Sequence, residues 1–307
     1  MIIRDPSEFD ASGQKVCLAI GVFDGVHLGH QQVIRQTLSD AQHQGGIPVV
    51  ITFDRHPNSI VAKERTPPLI YSLEQKLRVI TSVGAQAIYL IRFDRAFSEQ
   101  PGETFVRGLA QSFGHIQSIC VGSNFTFGYK RSGDVPLLRT LGRELKFTVH
   151  SLAAVSLDGK VVSSTRIREA IRNGRLDAAS QLLGRAYSVA GPVVQGDQVG
   201  RQMGFPTANL DVTGLVLPPD GVYAVHVRSQ GQSFRGVLNI GHRPTLQTPK
   251  PQQRFEVHLL DFQGDLYGQE IEIAYVERLR DEHKFPSLEA LKEQIARDIA
   301  SARALFE

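Results

Sequence analysis

Apolar residues in the first half of the chain come in short unbroken runs, separated by stretches with helical spacing. Val16-Cys17-Leu18-Ala19-Ile20 is the first run and Pro48-Val49-Val50-Ile51-Thr52-Phe53 the second, with residues 87–91, 118–122 and 147–152 supplying three more. Continuous runs of this length are typical of strands buried on both faces. Between the first two, Val33, Ile34, Thr37, Leu38 and Ala41 recur as one helix face. That spacing predicts a helix beginning near Gln31 and stopped by Gly45-Gly46. Residues 73–83 and 137–145 and the face Phe105, Leu109 and Phe113 predict further helices. Strands alternating with helices give an α/β domain with a parallel sheet.

Near Leu183-Gly184-Arg185 the pattern changes to short valine-rich strands broken by Gly/Pro turns, which predicts a small antiparallel β-barrel. The expected domains are therefore 1–184 and 185–307. At the C-terminal end Ser287 is placed to cap a helix whose stripe Leu288, Leu291, Ile295 and Ile299 is expected to pack on the barrel.

Two domains suit a chain of 307 residues. A net charge of +3, spread along the chain without Lys/Arg blocks interleaved with aromatics, favours small anionic ligands over nucleic acid. Cys17 and Cys120 lie inside apolar runs, so buried free thiols are expected rather than a disulfide or metal site. The start, MIIRDPSEFD, lacks an apolar signal core, and no stretch approaches about 18 uninterrupted apolar residues. The expectation is a cytoplasmic protein with no membrane partner; the oligomeric state is left open.

The first strand runs into Gly21-Val22-Phe23-Asp24-Gly25-Val26-His27-Leu28-Gly29-His30 and then into the first helix. Strand, glycine-rich turn and helix N-terminus together make an anion site, because free N–H groups and the positive dipole end meet a closely approaching backbone. His27 and His30 then place imidazole donors on a phosphate. The spacing matches neither the dinucleotide fingerprint nor the Walker loop. H-x-G-H alone is a weak signal, since histidines in such turns also act as caps. With G-x-F-D-G before it, the stretch resembles the adenylyltransferase half of bacterial bifunctional FAD synthetases (riboflavin kinase/FMN adenylyltransferases). The resemblance implies a Rossmann-like nucleotidylyltransferase domain, with Gly21, Phe23, Asp24 and Gly29 at the ATP phosphates beside His27 and His30.

Two further stretches belong to that half. Residues 122–134 form a loop rich in aromatic and basic side chains, in which Phe125 and Phe127 either cap the sheet or touch ligand. The family has a similar loop that binds nucleotide and flavin, which implies a role for Asn124. Ser163-Ser164-Thr165-Arg166-Ile167-Arg168 opens a later helix, where one hydroxyl is the expected N-cap. Hydroxyls, free N–H groups and a guanidinium suit a triphosphate. The run resembles the S-S-T-x-x-R element of the same superfamily, implying that Ser163, Ser164, Thr165 and Arg168 hold the β- and γ-phosphates. One departure is Arg55, ahead of His56, where many members carry proline.

In the second half, Gly196, Gly200 and Gly204 precede Pro206-Thr207-Ala208-Asn209, which places a hydroxyl and an amide oxygen on one side of an extended segment. Such hard oxygens suit Mg²⁺ and phosphate, although a β-turn with local bonds fits the same residues. Residues 236–245, 254–262 and 264–268 follow, and together they resemble the riboflavin kinase domain. Alternation from Arg254 puts Phe255, Val257 and Leu259 on one face and Arg254, Glu256 and His258 on the other. The resemblance makes Glu256 the base that activates the flavin hydroxyl, against the plainer reading of a carboxylate paired with Arg254. Asp261 and Asp265 read as turn residues.

Taken over the whole chain, the resemblance implies ATP-dependent phosphorylation of riboflavin to FMN, then adenylylation of FMN to FAD with release of pyrophosphate. The catalytic residues would be His27, His30 and Glu256. Gly200, Gly204, Thr207 and Asn209 would serve the kinase phosphates, with Thr207 and Asn209 on Mg²⁺. ATP, riboflavin and FMN are the partners so implied. A nucleotidylyltransferase for another phosphorylated substrate would leave the P-T-A-N half unused. A flavin-binding regulator without turnover would be expected to lack Glu256 or one histidine.

Overall fold

The computed structural model describes residues 1–9, 13–196, 200, 203–243 and 252–307. Parts of the glycine arch at 196–204, and Pro244-Thr245 of the 236–245 run, lie outside the described residues. Packing divides the chain into two compact units, residues 1–167 with 182–184 and residues 168–181 with 185–307.

In the first unit the strands are β1 (Ile2–Ile3), β2 (Val16–Ile20), β3 (Ile47–Phe53), β4 (Ala87–Ile91), β5 (Ile116–Gly122), β6 (Thr126–Phe127), β7 (Gly133–Asp134), β8 (Thr148–Leu152), β9 (Ser156–Leu157) and β10 (Lys160–Val161). Six of them make one sheet in the order β1-β4-β3-β2-β5-β8, every neighbour parallel. Leu18, Ile20, Val49, Ile51, Ile119 and Val121 fill one side, while Ala19, Val50, Ile88, Leu90 and Cys120 fill the other. Burial on both sides is why these strands read as unbroken apolar runs. The chain moves to β3 on one side of β2 and later to β5 on the other. The C-terminal end of β2 is thus the switch point where open α/β sheets bind ligands. Cys17 and Cys120 are buried free thiols, as expected, and burial pushes the Cys120 thiol up to about 12.

The first helix runs Leu28–Gln44, so it starts three residues before the expected Gln31 and takes His30 into its first turn. Gly45, left-handed at φ 62°, ends it. In the loop after β5 the rings of Phe125 and Phe127 stack at 5.2 Å and pack, partly buried, against the sheet core, as a capping role requires.

The second unit is a closed barrel. Its strands β11 (Ser188–Val194), β12 (Ala208–Leu210), β13 (Gly221–Ser229), β14 (Gln232–Arg243), β15 (Gln252–Leu259) and β16 (Glu270–Arg280) follow the order β11-β12-β15-β14-β13-β16, antiparallel throughout. Among the described residues each of the six strands pairs on both sides. Asp261 accepts both guanidinium nitrogens of Arg303 and Asp265 accepts Tyr267 N–H, so both are structural, as their turn positions foretold.

The terminal helix, Leu288–Leu305, is capped by Ser287, whose hydroxyl accepts from Ala290 N at 3.2 Å. Of the expected stripe, Ile299 packs on the barrel together with Ala302 and Phe306, Leu291 and Ile295 are partly buried, and Leu288 in the first turn is 63% exposed. A buried ion pair lies in the same contact. Asp298 lies inside the contact and is clasped by Arg280 of β16 at 2.8–3.1 Å and by Gln294 at 2.8 Å. Among the described residues no helix is long and apolar enough to cross a membrane. Asp298→Ala strands a largely buried guanidinium and is expected to cost the barrel about 3 kcal/mol in urea unfolding, with Arg280→Met in the same chain restoring most of it.

Candidate active site

The turn after β2 is held in a conformation it would not adopt alone. Phe23 (φ 53°) and Val26 (φ 41°) both have left-handed backbones, which for a β-branched valine costs on the order of 1–3 kcal/mol. Phe23 and Val26 are fully buried, which locks them in place. Three alternate carbonyls of the turn then each accept from a side chain on a different element. Val22 O accepts from Thr52 Oγ1 of β3 (3.1 Å), Asp24 O from Ser164 Oγ (3.0 Å) and Val26 O from Gln31 Nε2 (2.9 Å). Gln31 also donates to Leu183 O at 2.7 Å. Asp24, itself buried, accepts Ile70 N–H at 3.0 Å through its carboxylate.

This frame delivers the histidines. His27 is the N-cap of the first helix, its Nδ1 accepting from His30 N at 3.3 Å. Accepting at Nδ1 leaves the proton of the neutral ring on Nε2, which becomes a donor. The His27 and His30 rings stack with centroids 3.6 Å apart and 17° between planes, and Phe23 meets His30 edge-on at 5.3 Å. Gly29 is required by this stacking, since a Cβ there would sit 3.2 Å from His27 Cε1. Gly21 lies against the Phe23 ring in the same way. The side chains of Phe23 and Asp24 are thus taken up by packing and by Ile70, and any phosphate contact falls to their backbone.

Ser163 is the cap of the helix Ser164–Arg172, accepting from Arg166 N at 3.3 Å. Ser164, 140 residues from Asp24, reaches the turn, so two motifs distant in sequence meet. Thr165 is exposed at the same helix start. Arg166 is structural: its guanidinium donates to Leu157 O (3.0 Å) and Lys160 O (2.9 Å), closing the β9–β10 hairpin. Arg168, one turn after Ser164, is buried. Asn124 stands exposed in the loop between β5 and β6.

Beside the turn lies a recess lined by Val22, Asp24, Asp54, His56, Tyr71 and Lys76, among others. Burial raises the Asp54 carboxyl, but hydrogen bonds from Arg55 and Phe93 N–H outweigh it and hold the group below its usual range. Arg55 is occupied by that ion pair at 2.8 Å. Residue-type reasoning passed over Thr52, Gln31 and Lys76. Only their polarity inside otherwise apolar surroundings marks them.

On the barrel, β15 buries Phe255, Val257 and Leu259 and leaves Arg254, Glu256 and His258 half-buried on the other face, matching the alternation. The Arg254–Glu256 ion pair is present but long, at 3.8 Å. Register sets Glu256 opposite Asn209 of β12 on one side and Asn239 of β14 on the other. Directly opposed residues share a face, so Asn209, Glu256 and Asn239 form one row across three strands. Asn239 lies within the 236–245 run, where its residue type alone does not mark a role. His258 binds Pro206 O at 2.7 Å, tying β15 to the P-T-A-N segment. A Cβ at Gly196 would overlap the Asn209 side chain, and one at Gly200 would press on Phe205 O and Thr207. Gly204 is left-handed, at φ 89°. Among the described residues no three His, Cys, Asp or Glu side chains converge on a metal site.

The FAD synthetase family matches residues 10–166 and the riboflavin kinase family residues 183–306. The chain is 37% identical over 294 residues to the bifunctional riboflavin kinase/FMN adenylyltransferase of Haemophilus influenzae, covering 95% of both chains. To the Escherichia coli K12 protein of the same name it is 38% identical over 308 residues, covering 99% of this chain and 97% of that one. A crystal structure of a macrolide-efflux protein from Streptococcus pneumoniae shares the fold, with TM-score 0.81 and 30% identity over 99% of this chain and 98% of that one. Both halves, in order and over nearly the full length, place the chain in the bifunctional riboflavin kinase/FMN adenylyltransferase family.

Proposed function

We infer that the chain makes FMN from riboflavin and ATP, and then FAD from FMN and a second ATP, with the two activities divided at residues 184 and 185. The observation that carries the second step is the stacked His27–His30 pair at a helix start, joined through Asp24 to Ser164 of the other phosphate motif.

In adenylyl transfer a phosphate oxygen of FMN attacks the α-phosphorus of ATP, and the bond to the β-phosphate oxygen breaks to release pyrophosphate. His27 Nε2 and His30 donate to the α-phosphate oxygens as charge builds there, and the helix N–H groups add their dipole. Ser163, Ser164, Thr165 and Arg168 hold the departing pyrophosphate, with Gly21, Gly29 and Asn124 around the nucleotide. No covalent intermediate is needed, because positioning and charge stabilisation do the chemistry.

In the kinase half Glu256 takes the proton of the flavin's ribityl hydroxyl, whose oxygen then attacks the γ-phosphorus of ATP. Thr207 and Asn209 offer neutral hard oxygens beside one carboxylate, and Gly196 and Gly200 leave room at both side chains. That donor set suits Mg²⁺ arriving with ATP, which supplies charge neutralisation at the phosphates. Gly200 and Gly204 bring backbone N–H groups to the same phosphates. The setting we assign is cytoplasmic.

With riboflavin, ATP and Mg²⁺, product separation should show FMN appearing first and FAD second. His27→Ala with His30→Ala should lower FAD formation by about 10²–10³-fold while FMN accumulates. Retained FAD synthesis in that variant would remove the histidines from the mechanism. Glu256→Gln is expected to lower FMN formation by about 10²–10⁴-fold and still convert supplied FMN to FAD.

A further inference from the structure

Lys76 lies in the helix Leu73–Ser82 with its side chain buried, an unusual place for an ammonium. Its Nζ donates to Phe53 O at 2.7 Å and to Thr52 Oγ1 at 3.3 Å, at the C-terminal end of β3. Thr52 in turn donates to Val22 O, the carbonyl immediately before left-handed Phe23. An ammonium has three donors and no acceptor, so Thr52 must accept from it and pass its own proton to Val22. A neutral amine carries a lone pair, and the Thr52 hydroxyl is then able to turn back toward it and release the turn.

We propose that Lys76, acting through Thr52, is a positioning residue for adenylyl transfer, its ammonium holding the His27–His30 turn in its working conformation. The inference rests on the assignment of adenylyl transfer to that turn. Burial pulls the Lys76 amine down to about 8, and the Asp24 and Asp54 carboxylates keep it from falling further. The ionisable groups facing it across the recess are Asp24 from the turn, Asp54, Arg55 and His56 from the segment after β3, and Tyr71. Arg55 is spent on Asp54.

Activity and stability then move in opposite directions with pH. The folded-state amine titrates near 8, against about 10.5 when unfolded, so the unfolded chain binds more protons between those values. The buried ammonium is therefore a cost to folding below pH 8, relieved as pH rises, whereas the relay to Val22 is lost over the same rise. A residue kept only for stability would not show this opposition.

The test follows FAD formation from supplied FMN across pH 6.5 to 9.5, with riboflavin phosphorylation in the same protein as control. In the parent protein kcat for FAD formation should fall on an alkaline limb near pH 8. Lys76→Met should lose about 10²-fold in kcat at pH 7, the size expected of a small misplacement of catalytic groups. It should lack that limb, keep the kinase rate, and melt no lower than the parent. Thr52→Val should match that loss, Thr52→Ser should restore the rate, and the Lys76→Met/Thr52→Val double variant should be no slower than either single. A parental rate and alkaline limb in Lys76→Met, or multiplied losses in the double variant, overturn the relay. Should Lys76→Met not fold, the Thr52→Val and Thr52→Ser pair decides, equal rates counting against it. If His27→Ala with His30→Ala spares FAD formation, the site assignment fails; if only Lys76→Met and Thr52→Val are silent, the relay alone fails.

Discussion

Everything at the first site depends on restraining six residues, 21–26, that the backbone itself disfavours. Left-handed conformations at a phenylalanine and a valine are costly, and one backbone bond, from Val26 N–H to Phe23 O at 3.1 Å, joins them within the turn. Side chains supply the rest of the restraint. Thr52 from one strand, Ser164 from a distant helix and Gln31 from the helix that follows each seize an alternate carbonyl. What remains on the open side is a histidine cap, a second histidine stacked on it, and a helix start. The glycines permit the shape and the side-chain donors enforce it.

The barrel solves a different problem with the same economy of parts. It presents chemistry on a regular strand, where alternation decides which residues face out and pairing decides their neighbours. Glu256 needs no strained turn, because register alone sets it between two asparagines.

Much of this was legible in the residues, for identifiable reasons. Strands β2 to β5 announced themselves because both faces are largely buried, whereas β8, at the sheet edge, is only partly so. The face alternation of β15 was readable because a half-buried strand repeats every two residues. The first helix was placed late because its cap is a histidine, which propensity does not favour there, and because Gly29 sits in its first turn. Periodicity puts Leu288 on the same face as Ile299 but does not say that the first turn stays exposed. The Asp298–Arg280 clasp was not legible either, since neither residue signals burial in sequence. Lys76 and Thr52 were silent for a similar cause, since their roles exist only after β3 and a neighbouring helix have come together.

The bond from Ser164 to Asp24, and that from Gln31 to Leu183, also carry a consequence for how the protein is made. They link residues 140 and 152 positions apart, so the turn is completed last in order of synthesis although it is among the first segments to leave the ribosome. Contacts of such separation must wait for the intervening chain. The bonds that complete the turn therefore cannot form until residues 164 and 183 have been synthesised.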